Sequence, residues 1–210
     1  MSDTIPTSAL VAMLQAASAK IHDNVDLLTK LDSVTGDGDH GTAMQRSIEA
    51  VDKALDEHAE AGPKDAIGKA GWAVMSAAGG STGPLLGSFL MGLSAAVPGD
   101  ETLDAPALSG VIRAAIAAMH KHSKAQVGDK TMMDALLPAA DALEANEASA
   151  TPAAMLQLAA EAAAKGAEAT KDMTAKFGRA RNLGDRVLGH ADPGATSMSL
   201  IIAGFAEAVN

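Results

Sequence analysis

Residues 31–42, Leu-Asp-Ser-Val-Thr-Gly-Asp-Gly-Asp-His-Gly-Thr, crowd three carboxylates and three glycines between two segments of helical spacing. Asp37 and Asp39 flank a single Gly, and Asp32 lies where a side chain at a helix end can fold back onto the following loop. Carboxylates this close repel one another unless a positive charge sits among them. A hard divalent cation is the simplest remedy, and Mg²⁺ takes oxygen ligands while sharing its shell with phosphates. A helix beginning beside such a cluster adds a positive dipole end, so the stretch suggests a metal-nucleotide site.

Spacing separates three readings of this loop. Gly36-x-Gly38-x-x-Gly41 matches the dinucleotide fingerprint literally. The residues before it, Val25 to Leu31, have helical rather than strand spacing, and two Asp in the cradle would repel a bare pyrophosphate. Asp37-x-Asp39 starts like a calcium loop, but Gly41 holds the fifth position and Ile48 the twelfth, where Glu is required. Mg²⁺ on Asp32, Asp37 and Asp39, with phosphate oxygens completing its shell, leaves no carboxylate unexplained. The alternative is a solvated turn whose Asp residues cap the next helix.

The elements that must position these residues are helical. With one Trp, three Phe and no Tyr, the core of this chain of 210 residues has to come from Leu, Ile, Val, Met and Ala. Ala and Met favour helices, and strand-like alternation of β-branched residues is absent. An all-α bundle of eight helices is expected, over residues 8–31, 42–58, 64–77, 85–97, 104–123, 131–148 and 152–176, with the last starting at Asp192-Pro193. Thr7 or Ser8 would cap the first, Thr102 or Asp104 the fifth, Thr151 the seventh and Asp192 the last. A turn is expected at 98–100, and Pro138 sits where it could kink the sixth helix. No linker divides the chain, so residues 1–210 are read as one domain.

Charge and composition narrow the partners. A net charge of -10 argues against nucleic acid or an anionic membrane. Without Cys there is neither a disulfide framework nor a thiolate metal site, which is compatible with a reducing cytosol. The N-terminus lacks signal-peptide character and the apolar runs are too short to span a bilayer, so a cytoplasmic protein is expected.

Three further loops carry candidate chemistry. Residues 76–87 break helical order with glycines and Pro84 around Ser81 and Thr82: either a phosphate cradle or a turn between packed helices. Gly128-Asp-Lys-Thr131 ends like a Walker loop but lacks its upstream Gly. Residues 177–196 form a long connection with three Arg within eight residues, and long ordered connections tend to be functional. His120 and His122, two apart, point to different helix faces and make a poor metal pair.

Taken jointly, Gly36-Asp-Gly-Asp-His-Gly41, Gly79-Gly-Ser-Thr-Gly-Pro84, Gly128-Asp-Lys-Thr-Met132, Gly178-Arg-Ala-Arg-Asn-Leu-Gly184 and the Gly189 to Thr196 segment resemble the nucleotide-binding L subunit of dihydroxyacetone kinase. The resemblance runs in order along essentially the whole chain. It implies an eight-helix antiparallel barrel that holds ADP or ATP at one end through two Mg²⁺ ions on Asp32, Asp37 and Asp39. It also implies nucleotide contacts from His40, Gly41, Thr42, Ala43, Ser81, Thr82, Ser123, Met132, Asp192, Pro193 and Gly194. Arg179 would reach the nucleotide and offset transition-state charge, with Lys130 as the second choice. Ala43 departs from the family, whose members often carry Asn there.

The implied activity is phosphoryl transfer to dihydroxyacetone or a related small ketose held on a separate K subunit, with a phosphotransferase-system protein as a possible donor. The family's substrate domain, which binds the ketose covalently through a His, has no counterpart here, so neither His40 nor His190 is assigned that role. A nucleotide-dependent regulator sensed by a partner such as a transcription factor is the alternative.

Overall fold

Apolar residues recurring at three and four along Ala-rich stretches bury one stripe of each helix, and the close approach of those stripes makes the fold. The computed structural model describes residues 3–77, 79–99 and 101–209. Ala78 of the 76–87 stretch and Asp100 of the expected 98–100 turn lie outside them. Among the described residues the chain is all-α: α1 (Ala9–His22), α2 (Val25–Thr35), α3 (His40–Glu57), α4 (Pro63–Ala77), α5 (Thr82–Ala96), α6 (Ala105–Met119), α7 (Met133–Asn146), α8 (Pro152–Ala169) and α9 (Pro193–Glu207). A two-residue antiparallel pair, β1 (Ile5–Pro6) with β2 (Thr102–Leu103), ties the N-terminal segment to the start of α6.

The first expected helix is two. The Asp23 N–H closes α1 on the Ala19 carbonyl, Asn24 leaves helical geometry, and its side-chain amide donates to the Lys20 carbonyl. Neither Thr7 nor Ser8 makes the expected side-chain cap of α1; the Thr7 hydroxyl donates to the Glu101 carbonyl instead. The other caps form where Pro stands in the first helical turn: Asp104 accepts from Ala107 N–H, Thr151 from Ala154 and Asp192 from Ala195. Pro138 lies inside α7. The seventh expected helix stops at Ala169 and continues as one 3₁₀ turn, Thr170–Asp172. The long basic connection is wound into 3₁₀ turns over Arg179–Val187, interrupted at Gly184.

Packing follows a circuit, α1 on α3, α3 on α4, and so on through α5, α6, α7, α8 and α9 back to α1, with α2 against α3 and α9. Leu10, Met13, Ile21, Ile67, Phe89, Leu108, Ile112, Leu136, Met155 and Phe205 are among the side chains buried in the shared core. The connections α2–α3, α4–α5, α6–α7 and α8–α9 supply residues to a single cleft. Each of these connections leads into a helix start, so α3, α5, α7 and α9 all begin beside that cleft, where their unpaired N–H groups make it receptive to anions.

Candidate functional site

Asp32 stands on the last turn of α2, and its side chain folds over the loop that follows. A Cβ at Gly36 would collide with Asp32 Oδ1, so Gly is what lets the carboxylate lie there. Its other oxygen, Oδ2, accepts the His40 backbone N–H at 3.1 Å, fixing the start of α3. Asp37 and Asp39 complete the group. One carboxylate oxygen from each of the three lies within 4.8 Å of the others, with Asp32 buried and the other two exposed. The positive group among them is Arg179, whose guanidinium pairs with Asp37. Three hard oxygen donors so close suit one or more Mg²⁺ ions and suit no soft metal.

The cleft beside them has a volume of about 450 Å³, within the range of small-molecule sites. The Asp cluster, Gly79, Gly80, Ser81 and Thr82 line it with polar groups, while Leu85, Met132, Phe177 and Pro193 supply apolar surface. Ser123, Arg179, Asp192 and Gly194 also line it. Of the residues singled out in the sequence, Gly41, Thr42 and Ala43 do not form its wall. Gly41 packs on α2 against Thr29 and Val25, the Thr42 hydroxyl donates to the Asp39 carbonyl, and Ala43 is buried.

Three titratable groups around the cleft are displaced from their ordinary behaviour. Burial lowers the pKa of His40, against the raising influence of Asp32 and of a hydrogen bond to the Pro193 backbone. Its Nε2 lies 3.1 Å from Ser197 Oγ, which donates to the Gly194 carbonyl. Burial pushes the Asp192 carboxyl up to about 7, although the Ala195 N–H and Lys130 both favour its anion. Burial also lowers the Lys130 ammonium, which Asp192, Asp134 and Asp172 partly offset.

Lys130 is the residue that sequence reasoning undervalued. Its side chain is 1% exposed, and Nζ donates to the carbonyls of Thr170 and His190. An ammonium engaged in this way is poorly placed to offset charge on a transferring phosphoryl group. His122, Thr131, Thr35 and Ala180 also line the cleft without having been singled out for it. Of these, Lys130 and Thr131 carried a local signal, in the Gly-Asp-Lys-Thr run.

A helical circuit that turns four helix starts and three clustered carboxylates onto one cleft has the donor groups with which a metal-bound anion could be held. The chain belongs to the DAK2 domain family, whose model matches residues 34–207. It is 39% identical to the ADP-binding subunit of PEP-dependent dihydroxyacetone kinase 2 from Listeria innocua, over 100% of both chains. It is 37% identical to the L-erythrulose 1-kinase of Mycolicibacterium smegmatis, over 94% of this chain but 35% of that longer one. Among solved structures it resembles the dihydroxyacetone kinase of C. freundii in complex with AMP-PNP and Mg²⁺. The TM-score there is 0.69 at 27% identity, covering 94% of this chain and 33% of that one. These relatives are named as kinases or kinase subunits, which does not favour the regulatory alternative.

Proposed function

We propose that this chain is the ADP- or ATP-binding, phosphoryl-donating subunit of a kinase for dihydroxyacetone or a related small ketose. The ketose would be carried on a separate K subunit. The observation that carries the reading is the convergence of Asp32, Asp37 and Asp39 within 4.8 Å on a cleft ringed by helix starts. The names of the relatives support it: one is an ADP-binding kinase subunit, and another is a kinase solved with AMP-PNP and Mg²⁺. We read the circuit of helices as the family's antiparallel barrel, and residues 1–210 as one L-type domain.

Asp32, Asp37 and Asp39 would hold two Mg²⁺ ions, which when bound neutralise phosphate charge and polarise the bond to the transferred group. Asp32 is oriented for this by the His40 N–H, and Gly36 keeps its path clear. Ser81 and Thr82, at the start of α5, present hydroxyls and backbone N–H groups to phosphate oxygens. Leu85, Met132 and Pro193 form the apolar surface for the base, with Asp192 and Gly194 completing the edge and Ser123 nearby. Gly41, Thr42 and Ala43 act from behind this surface by fixing the first turn of α3. Arg179, paired with Asp37, is a cation within the cluster and the residue best placed to offset charge as the phosphoryl group leaves. The PEP-dependence in the Listeria subunit's name supports a phosphotransferase-system protein as donor. No helix among the described residues is long and apolar enough to cross a membrane, and we place the protein in the cytoplasm.

Reconstitution tests this. The purified chain should transfer nothing to dihydroxyacetone alone, and turnover should appear when a K subunit and either a PEP-driven donor system or ATP are supplied. Arg179→Ala should lower that turnover by roughly a hundredfold or more while ADP still binds. Ketose phosphorylation by the chain alone, or an inert mixture with both donors, would overturn the proposal.

A further inference from the structure

Lys130 combines three unusual features. It is a fully buried cation, its backbone is left-handed at φ 57° without being glycine, and its ammonium is spent on two main-chain carbonyls. A buried charge is tolerated only where its donors are filled. Here Nζ donates to Thr170 O at 2.5 Å and His190 O at 2.6 Å. The strained backbone is held from both sides by Asp134, which accepts the Gly128 N–H at 2.6 Å and the Thr131 N–H at 2.7 Å. Left-handed geometry in a bulky residue persists only where its surroundings over-determine it, and such positions gather at functional sites.

What this arrangement fixes is the edge of the cleft. Thr170 accepts Lys130 through its carbonyl, while its hydroxyl accepts the Asp192 N–H at 2.8 Å and donates to the Ala167 carbonyl at 2.6 Å. Lys130 and Thr170 therefore tie the loop before α7, the end of α8 and residues 190–192 into one clasp. The held segment continues directly into the start of α9, where a Cβ on Gly194 would stand 3.6 Å from Met132 Cβ. Met132, two residues beyond Lys130, forms the facing wall. The clasp thus sets the separation of Met132 from Pro193 and Gly194.

We propose that Lys130 is a positioning residue that locks the start of α9 against Met132, and so shapes the apolar side of the cleft that receives the base of a nucleotide, without contacting the phosphates. The proposal rests on the nucleotide reading of the cleft and adds a determinant of selectivity for a nucleotide over its bare phosphate tail.

Calorimetric titration of the full chain with ADP and, separately, with inorganic pyrophosphate, both with Mg²⁺, tests it. Lys130→Met should weaken ADP on the order of tenfold, the scale at which outer partners of a binding group act, and leave pyrophosphate affinity unchanged. Thr170→Val loosens the same edge through a different contact, removes no charge and should shift the ratio in the same direction; it carries the test if Lys130→Met does not fold. A lysine that serves stability alone would lower Tm and leave the ADP-to-pyrophosphate ratio as in the wild type. A lysine that reaches the phosphates would weaken both ligands equally. Either result overturns the proposal. Failure of the wild-type chain to bind ADP would instead remove the site reading itself, before any variant is compared.

Discussion

Gly36 shows how one residue decides what its neighbours can do. Because any side chain there would collide with Asp32 Oδ1, Gly36→Ala must push the carboxylate off the loop. Mg²⁺-dependent ADP affinity should fall by roughly tenfold or more with helical circular dichroism unchanged, and an unaltered affinity would show that Asp32 is not placed by this contact. Asp192 makes a second prediction. Its carboxyl titrates at about 7 in the fold against 3.8 as its ordinary value, so between those pH values the folded protein holds a proton that the unfolded chain has lost. The stabilising contribution is complete below the lower value and is lost as pH rises through the upper one. Asp192→Asn keeps a capping side chain without that titration. Urea unfolding across the window should therefore show a shallower fall in stability with pH than the wild type, and parallel curves would contradict it. The carboxylate cluster was legible in the sequence because all its members lie within eight residues. Lys130 was not, because the carbonyls that engage it come from Thr170 and His190, far along the chain.

At the scale of helices, close approach through small residues does most of the organising. A Cβ on Gly204 of α9 would stand 2.5 Å from the backbone of Ala17 on α1, closing the circuit where the last helix meets the first. Gly204→Ala should therefore cost about 1–3 kcal/mol by overpacking. That corresponds to a fall in Tm of roughly 2–12 °C for a chain of this size, readable by calorimetry, and an unchanged Tm would show that the two helices can separate freely. The caps at Asp104, Thr151 and Asp192 were readable because a following Pro marks the first helical turn. The break between α1 and α2 was not, because the apolar period runs from Ile21 through Val25 to Leu28 without interruption. Asn24 and Asp23 end the helix through local hydrogen bonds that periodicity does not register.

Over the whole molecule, a chain of net charge -10 gathers four helix starts, a basic connection and three carboxylates at one site, so an anion is received there only with a cation set among the carboxylates. The all-helical class followed from composition, whereas the closing of eight of the nine helices among the described residues into a circuit depends on pairings remote in sequence, and before the structure only the family resemblance implied a closed arrangement. The chain spans about a third of the length of the longer kinases it matches. The proposed function requires that the clustered carboxylates bind a nucleotide through Mg²⁺. The most direct measurement is an ADP titration by calorimetry, with and without Mg²⁺, on the wild type and on Asp37→Asn. Binding is expected for the wild type with Mg²⁺, and none for the wild type in EDTA or for the variant with Mg²⁺. Equal ADP affinity in all three would contradict it.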